Sequence, residues 1–144
     1  MVPTSSVIIP KLDDPNTILL TRRNMDPHKG KLDLPGGFFI YGERVEEGAK
    51  REIMEELGLD LKLDKLLGVE LNNYKYQQYH YQHTTIYFTT EPVDTLPQIT
   101  DKDENSEVVF FNLNNLEIEH DSFAFEADYR ILLKYKLQIA RDTK

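Results

Sequence analysis

Three glutamates lie close together in the stretch REIMEELG, residues 51–58. On a helix of about 3.6 residues per turn, Glu52, Glu55 and Glu56 fall on one arc of the surface. Like charges at these spacings weaken an isolated helix by a few tenths of a kcal/mol per pair. A divalent cation removes that repulsion, and Mg²⁺ prefers oxygen ligands of this kind and bridges them to phosphates. The stretch indicates either a magnesium site or a solvated acidic helix face.

The helix that carries these glutamates is predicted for residues 44–57, which contain no Pro and one Gly. Its apolar residues share one stripe that we expect to face the core: Val45, Ala49, Ile53 and Leu57. Gly48 projects onto the arc of the glutamates, where the missing side chain allows another backbone or a ligand to come close. Arg51 precedes Glu55 by one helical turn and can orient its carboxylate. Gly58 fits the left-handed residue that ends a helix.

Apolar and polar patterns predict the elements on either side of this helix. Apolar runs at 6–10 and 17–23 flank a polar turn and predict a hairpin, whereas residues 23–37 are rich in Pro and Gly and predict a loop. Residues 63–92 are rich in β-branched and aromatic side chains and read as strands.

A last strand and a closing helix follow. Residues 107–113 are predicted to form the strand, and the apolar spacing within 122–141 predicts the helix. With no repeat and no linker in the sequence, we expect a single α/β domain over residues 1–144.

Composition narrows the class of function. The 144 residues include no cysteine, which excludes thiolate metal sites and cysteine nucleophiles. The formal charge of −8 argues against a nucleic-acid partner, because such binding needs a basic face. No apolar stretch approaches the length of a membrane span, and the first residues lack the pattern of a signal peptide. We therefore expect a cytoplasmic protein with no membrane partner.

A longer pattern surrounds the glutamates. Residues 37–59, GFFIYGERVEEGAKREIMEELGL, contain Gly37, five residues, Glu43, seven residues, Arg51-Glu52, an apolar residue, any residue, Glu55-Glu56, any residue, Gly58 and an apolar residue. This pattern resembles the signature of the Nudix hydrolases at every defined position. The flanking stretches LLTRR, KGKLDLPGGF and EVVFFNLNNL resemble the family's entry strand, Pro-Gly-Gly loop and late strand. The resemblance extends over residues 5–135.

The resemblance implies a Nudix-type α/β/α sandwich with a mixed β-sheet and a loop–helix–loop catalytic motif. It implies a Mg²⁺ or Mn²⁺ cofactor and hydrolysis of a nucleoside diphosphate derivative by water attack at phosphorus. Glu55 and Glu56 are then expected to bind the metal, and Glu52 to bind it or to activate the water. The Gly37 carbonyl is expected to be a further ligand.

Two more residues of the motif receive roles from the resemblance. Arg51 is expected to orient the glutamates. Glu43 is expected to hold the loop against the helix, or to reach the metal or the substrate through water.

Residues outside this motif are candidates for supporting roles. Many relatives take a further acid from a distant loop, for which Glu104 and Glu107 are candidates; each is otherwise a solvated loop charge. Arg22 and Arg23 end a strand near the motif, and one of them is expected to contact a substrate phosphate unless both have a surface role.

The sequence says less about which nucleotide is bound. The stretch YKYQQYHYQH contains four tyrosines, and Tyr74, Tyr76, Tyr79 and Tyr81 fit either cross-strand pairs on a half-buried sheet or stacking on a base. His80 and His83 are read as surface or hydrogen-bonded residues rather than catalytic ones. Aromatic residues of the closing helix region are most simply core residues, although the helix could form a wall of the nucleotide pocket: Phe123, Phe125 and Tyr129.

These observations predict a metal-dependent pyrophosphohydrolase with a small nucleotide substrate, among which dinucleotides and nucleotide sugars are favoured over nucleoside triphosphates. A homodimer is compatible with the sequence. The alternative is a nucleotide-binding module of the same fold that does not cleave its ligand. Isopentenyl diphosphate isomerase chemistry, a third possibility, normally requires a cysteine that this chain lacks.

Overall fold

The computed structural model describes residues 2–142, and its strands form two four-stranded sheets. In chain order the elements are β1 (Val2–Ile8), β2 (Pro10–Lys11), β3 (Asp14–Arg23), β4 (Leu32–Asp33), β5 (Gly36–Phe38), α1 (Val45–Leu57), β6 (Leu63–Tyr76), β7 (Tyr79–Thr90), β8 (Asn105–Asn112) and α2 (Glu126–Asp142). Two short 3-10 turns, Leu113–Asn115 and His120–Ser122, connect β8 to α2.

One sheet is mixed and the other is antiparallel. The mixed sheet has the order β5-β1-β7-β6, in which β1 and β7 run parallel and the other neighbours antiparallel. In the second sheet β3 pairs antiparallel with β2, β4 and β8.

The two helices cover opposite sides of the sheets. Val7 and Ile9 pack with Ile53 of α1, whereas Ile8, between them in sequence, packs with Ile131 and Leu132 of α2. This follows from the alternation of side chains along a strand. Apolar residues are continuous along these strands because both faces are buried. The predicted α/β/α sandwich with a mixed sheet is confirmed.

The hairpin predicted from 6–10 and 17–23 is confirmed only in its second half. Pro10 pairs with Ile18, and Ile9 accepts a hydrogen bond of 3.0 Å from the Leu19 amide. Residues up to Ile8 instead join the mixed sheet through β7. The apolar run predicts a strand but does not say which sheet it enters, because both sheets bury both faces.

The region 23–37, predicted as a loop, also contains the short strands β4 and β5. Strands of two or three residues are too short to show a periodic pattern in the sequence. They form because they pair with β3 and β1. The predicted strands at 63–92 and 107–113 are confirmed as β6, β7 and β8. Within residues 2–142, neither helix is both long and apolar enough to cross a membrane.

Both helices are confirmed with shifted starts. Helix α1 begins at Val45, and Arg44 is its N-cap, whose amide donates to the Glu47 side chain at 3.0 Å. Gly58 ends it in the left-handed conformation, with φ of 65°. Helix α2 begins at Glu126, later than predicted, because Phe123 still bridges to β4.

Gly36→Ala is expected to destabilise the fold strongly. A Cβ at this position would lie 2.0 Å from the Ser5 carbonyl oxygen, a backbone atom that cannot move without separating β5 from β1. We expect the free energy of unfolding, measured in urea, to fall by about 3 kcal/mol, at the upper end of overpacking effects. The control is Gly68→Ala in β6, where the nearest atoms are the flexible ends of Lys134 and Ile131 at 3.1 and 3.2 Å. Equal losses in the two variants would contradict this account.

Candidate functional site

Helix α1 directs its glutamates to different surroundings. Ala49, Ile53 and Leu57 are buried in the core, as predicted, and Val45 packs at its edge. Glu52 and Glu56, one turn apart, lie beside this stripe and are 9% and 4% exposed.

The Glu55 side chain is 55% exposed and points away from the core. Glu52 and Glu56 therefore share one surface against the sheet, whereas Glu55 lies at its rim.

The guanidinium of Arg51 joins helix α1 to the preceding loop. Its Nε and one terminal nitrogen donate to the Glu43 carboxylate at 3.0 and 2.8 Å. The other terminal nitrogen donates to Glu52 and to Glu55, each at 3.1 Å. The Phe38 carbonyl accepts a further bond of 3.0 Å. These bonds hold the pKa of Glu43 down at about 2.

Two glycines allow the loop and the helix to come close. A Cβ at Gly37 would lie 2.5 Å from the carboxylate of Glu52, so that side chain lies directly against the β5 backbone. At Gly48 a Cβ would meet the ring of Phe39 at 2.4 Å and Glu43 at 2.9 Å. The close approach predicted at Gly48 is present, and the approaching groups are these two side chains rather than a backbone or a ligand.

The buried carboxylates retain protons more strongly than free glutamates do. Burial raises the pKa of Glu52, against the opposing effect of Arg51. Burial, and then repulsion from Glu52 and Asp33, raises the pKa of Glu56 well above its ordinary value. The Glu56 Oε2 atom is buried and has no hydrogen-bond partner. A cation that bound beside this oxygen would favour loss of the proton and would stabilise the resulting carboxylate.

These residues fit the divalent cation that the sequence motif implies. The donors are all oxygens, as Mg²⁺ and Mn²⁺ prefer. The unpartnered Oε2 of Glu56 and the Glu52 carboxylate against Gly37 offer the first contacts. In the described part of the chain, however, no three acidic or histidine side chains already converge as a ligand set. One terminal nitrogen of Arg51 donates to both Glu52 and Glu55, so the guanidinium lies between these two carboxylates.

A cleft of about 440 Å³ adjoins the glutamates. Gly36, Gly37 and Phe38 form its near end, and Arg23 lies along its wall. Its volume is typical of small-ligand sites, which range over about 300–1,000 Å³. A larger depression of about 600 Å³ lies elsewhere, where the start of β6 and the end of β7 meet α2, and it contains none of the predicted site residues.

The two strand-end arginines have different surroundings. Arg22 pairs with Glu107 at 2.6 Å and bonds the Gly30 carbonyl. Arg23 lines the cleft, bonds Asp33 at 3.1 Å and lies 5.2 Å from the centre of the Phe125 ring. Arg23 is thus the arginine placed to meet a ligand.

The two acids predicted outside the motif also separate. Glu107 is paired with Arg22 on the surface of β8. Glu104 raises the pKa of both Glu52 and Glu56, and its own pKa is raised by burial and by repulsion from Asp101 and Glu55. The structure therefore brings Glu104, and not Glu107, near the glutamates of α1.

The floor of the cleft contains acids that the sequence reading missed. Asp128 is 2% exposed and accepts a hydrogen bond of 2.7 Å from the buried Tyr87 hydroxyl. Burial, and then the neighbouring Asp33, raises the pKa of Asp128 well above its ordinary value.

The Asp128 Oδ2 atom is buried and has no hydrogen-bond partner. The sequence does contain a signal for this buried acid. Asp128 lies within the apolar stripe of α2, one turn before Ile131 and Leu132.

The aromatic residues divide between core and cleft. Phe123 is a core residue, as predicted. Phe125 lines the cleft, and Tyr129 stacks on His120 with ring centres 3.6 Å apart. His83 lines the cleft and contacts the Phe38 ring at 5.2 Å.

The predicted cross-strand tyrosine pairs are present. The registers are Tyr74 with Tyr81 and Tyr76 with Tyr79. His80, the other histidine considered in this stretch, is exposed on the same hairpin.

The chain belongs to the NUDIX domain family, because the family's sequence model matches residues 2–133. The chain is similar to the ADP-ribose pyrophosphatase of Methanocaldococcus jannaschii, with 39% identity over 105 residues that cover 73% of this chain and 60% of that protein. It is also 44% identical to the 8-oxo-dGTP diphosphatase of Escherichia coli over 45 residues, which cover 31% of this chain and 35% of that protein. The matched region is thus less than two thirds of the length of either relative.

Solved structures agree in fold. A MutT NUDIX hydrolase from Burkholderia pseudomallei superposes with a TM-score of 0.68 and 26% identity, covering 78% of this chain and 84% of that one. The NUDIX domain of Shewanella oneidensis NrtR, solved in complex with ADP ribose, superposes with a TM-score of 0.78 and 20% identity, covering 96% of this chain and 88% of that one.

Asp128→Asn is expected to stabilise the protein at high pH. The folded-state pKa of Asp128 is raised, so the folded protein binds a proton more tightly than the unfolded chain does. Stability is therefore lost as the pH rises above the ordinary value of 3.8 toward the raised pKa. Asparagine imitates the protonated acid. We expect the free energy of unfolding of the variant to exceed that of the wild type by about 1–3 kcal/mol at pH 8, the range for removing the desolvation penalty of a buried polar group. At pH 4 we expect little difference.

The measurement is the free energy of unfolding across that pH range. Asp60→Asn is the control, because the Asp60 side chain is 77% exposed. A variant that is less stable than the wild type at pH 8 would contradict the assignment.

Proposed function

We propose that this protein hydrolyses the diphosphate linkage of a nucleoside diphosphate derivative by attack of water at phosphorus, with the help of a divalent cation. The observation that carries the proposal is the pair of buried carboxylates, Glu52 and Glu56, of which Glu52 lies against Gly37, a residue that lines the cleft. The names of the relatives, an ADP-ribose pyrophosphatase and an 8-oxo-dGTP diphosphatase, support the same reaction class.

In this proposal Glu52, Glu55 and Glu56, with the Gly37 carbonyl, hold Mg²⁺ or Mn²⁺. When bound, the cation neutralises phosphate charge and lowers the pKa of coordinated water. Glu55 reaches the site by exchanging its bond to Arg51, which a side chain as exposed as this one can do.

The chain's own residues position the reactants. Arg51 and Glu43 fix the Glu52 carboxylate against the β5 backbone, where it can accept a proton from the attacking water. Arg23, with its bonds to Asp33 and Pro27, presents its remaining donors along the cleft wall toward a phosphate. Glu104 is the auxiliary acid. The aromatic side chains that line the cleft, among them Tyr74 and Phe125, hold the nucleoside away from bulk water.

The second candidate is a module that binds a nucleotide without cleaving it. The likeness in fold to a NUDIX domain solved with ADP ribose favours considering it. Tight binding together with no turnover in either Mg²⁺ or Mn²⁺ would select this alternative.

The test is incubation with a panel of dinucleotides, nucleotide sugars and nucleoside triphosphates in Mg²⁺, followed by measurement of released monophosphate or pyrophosphate. Glu56→Gln is expected to lower the rate by two or more orders of magnitude, roughly the loss caused by removing one essential charged group. Circular dichroism should be unchanged. Activity that survives this substitution would overturn the role given to Glu56.

A second measurement does not depend on activity. Added Mg²⁺ should raise the midpoint of thermal unfolding of the wild type, since a ligand at 100 times its dissociation constant contributes about 2.7 kcal/mol. The shift should be absent in Glu56→Gln. An equal shift in both proteins would place the cation elsewhere.

Glu104→Gln and Glu107→Gln separate the two acids outside the motif. Because Glu104 interacts with the α1 glutamates and Glu107 is paired with Arg22, we expect about a 10-fold or larger loss of kcat for the first and less than a twofold change for the second. Initial rates in saturating Mg²⁺ provide the comparison. The reverse order would assign the auxiliary role to Glu107.

A further inference from the structure

The hairpin of β6 and β7 extends beyond the mixed sheet. Strand β1 pairs with β7 from His83 onward, starting at Val2. Residues 73–82 therefore form a two-stranded ribbon with no third strand among the described residues. An isolated two-stranded ribbon is marginally stable in water, so this ribbon needs contacts with other parts of the protein or with a ligand.

One face of this ribbon carries all four tyrosines of the hairpin, which we name the tyrosine ladder: Tyr74, Tyr76, Tyr79 and Tyr81. Side chains alternate along a strand and cross-strand partners share a face, so the register places all four on the same side. That side also carries Asn72, His83 and Thr85, which line the cleft. The ladder thus continues the wall of the cleft outward.

The ladder is anchored at its inner end and open at its outer end. Tyr74 contacts the rings of Phe125 and His28, with centres 5.3 and 5.7 Å apart. It also stacks on Tyr81 at 5.3 Å and 15°. Tyr79 and Tyr81 are 55% and 39% exposed. A rigid inner pair therefore supports a flat aromatic surface that remains open to solvent.

The opposite face is polar. Asn73 and Gln82 are joined by a hydrogen bond of 2.9 Å, and Lys75 is opposite His80. The aromatic character is confined to the side that faces the cleft, as expected for a surface that meets a ligand. It adds no positive charge to a protein of net charge −8, so it suits an uncharged ring rather than a phosphate.

We propose that the tyrosine ladder binds the second aromatic base of a two-headed substrate, a dinucleoside diphosphate or polyphosphate, while the cleft binds the first nucleoside. The proposal rests on the proposed function and narrows its substrate class. Aromatic side chains stack on any base, so the ladder favours a second base over a sugar without selecting its identity. A nucleotide sugar with the same nucleoside fills the cleft, which Tyr74, Tyr76 and Tyr81 line, but leaves Tyr79 at the outer end of the ladder uncovered.

The test compares Tyr79→Ser with His80→Ser, which alters the neighbouring residue on the opposite face. For a dinucleoside polyphosphate, the tyrosine variant should raise KM about 10-fold, equal to about 1.4 kcal/mol and within the range for stacking of one base. For a nucleotide sugar of the same nucleoside, KM should change less than twofold. The opposite-face variant should resemble the wild type with both substrates.

Binding provides a readout that does not need turnover. The chain has eight tyrosines and no tryptophan, so tyrosine emission is observed directly. Addition of the dinucleotide to metal-free protein should quench this emission, and the tyrosine variant should lose most of the quenching and affinity. Quenching in the metal-free protein, combined with no hydrolysis after Mg²⁺ or Mn²⁺ is added, would support the ladder while rejecting the proposed function.

Three outcomes would overturn the role of the ladder. KM could rise equally for both substrates, neither could change, or the opposite-face variant could show the same loss as the tyrosine variant. Thermal unfolding of all variants checks that the ribbon remains folded.

Discussion

The Arg51 guanidinium is the interaction on which the geometry of the site depends. It bonds Glu43 in the loop and both Glu52 and Glu55 on the helix. An arginine can do this because its donors are fixed in a plane and remain charged, whereas lysine offers one compact charge. Since Glu43 also accepts a bond from the Ile40 amide, the loop is held at both of its ends. The buried carboxylate of Glu52 is placed against the β5 backbone by this arrangement rather than by the helix alone.

Local features of the fold could be predicted from the sequence, and long-range ones could not. The apolar stripe of α1 and the left-handed Gly58 follow from short-range spacing and backbone sterics. The entry of β1 into the mixed sheet depends on β7, more than seventy residues away, and no local pattern encodes it. The divergence of Glu55 from Glu56 was missed for a similar reason. Helical spacing places them together, but Arg51 and the packing of the sheet give them different partners.

The buried acids show that the site is not arranged for maximum stability. Glu56 has an oxygen without a partner, and burial, followed by the neighbouring Asp33, opposes ionisation of Asp128. Apolar residues of similar size would avoid the desolvation penalty of such groups. A fold retains carboxylates in these positions where a ligand or cation supplies the missing interactions, and both groups lie at the same cleft. A ligand that supplies these interactions binds only the folded protein and therefore raises its stability.

The distribution of chemistry along the cleft explains how an acidic protein could select a polyanion. Carboxylates at the Gly37 end attract cations and repel free phosphate, so in the proposed function phosphate binding there depends on the metal. Arg23 is paired with Asp33 and contributes direction more than net charge. The hairpin face beyond it is aromatic and uncharged. Because phosphate recognition is thereby common to every substrate of the class, discrimination among substrates must come from the groups attached to the phosphates, and the surfaces that meet those groups lie on β6, β7 and the start of α2.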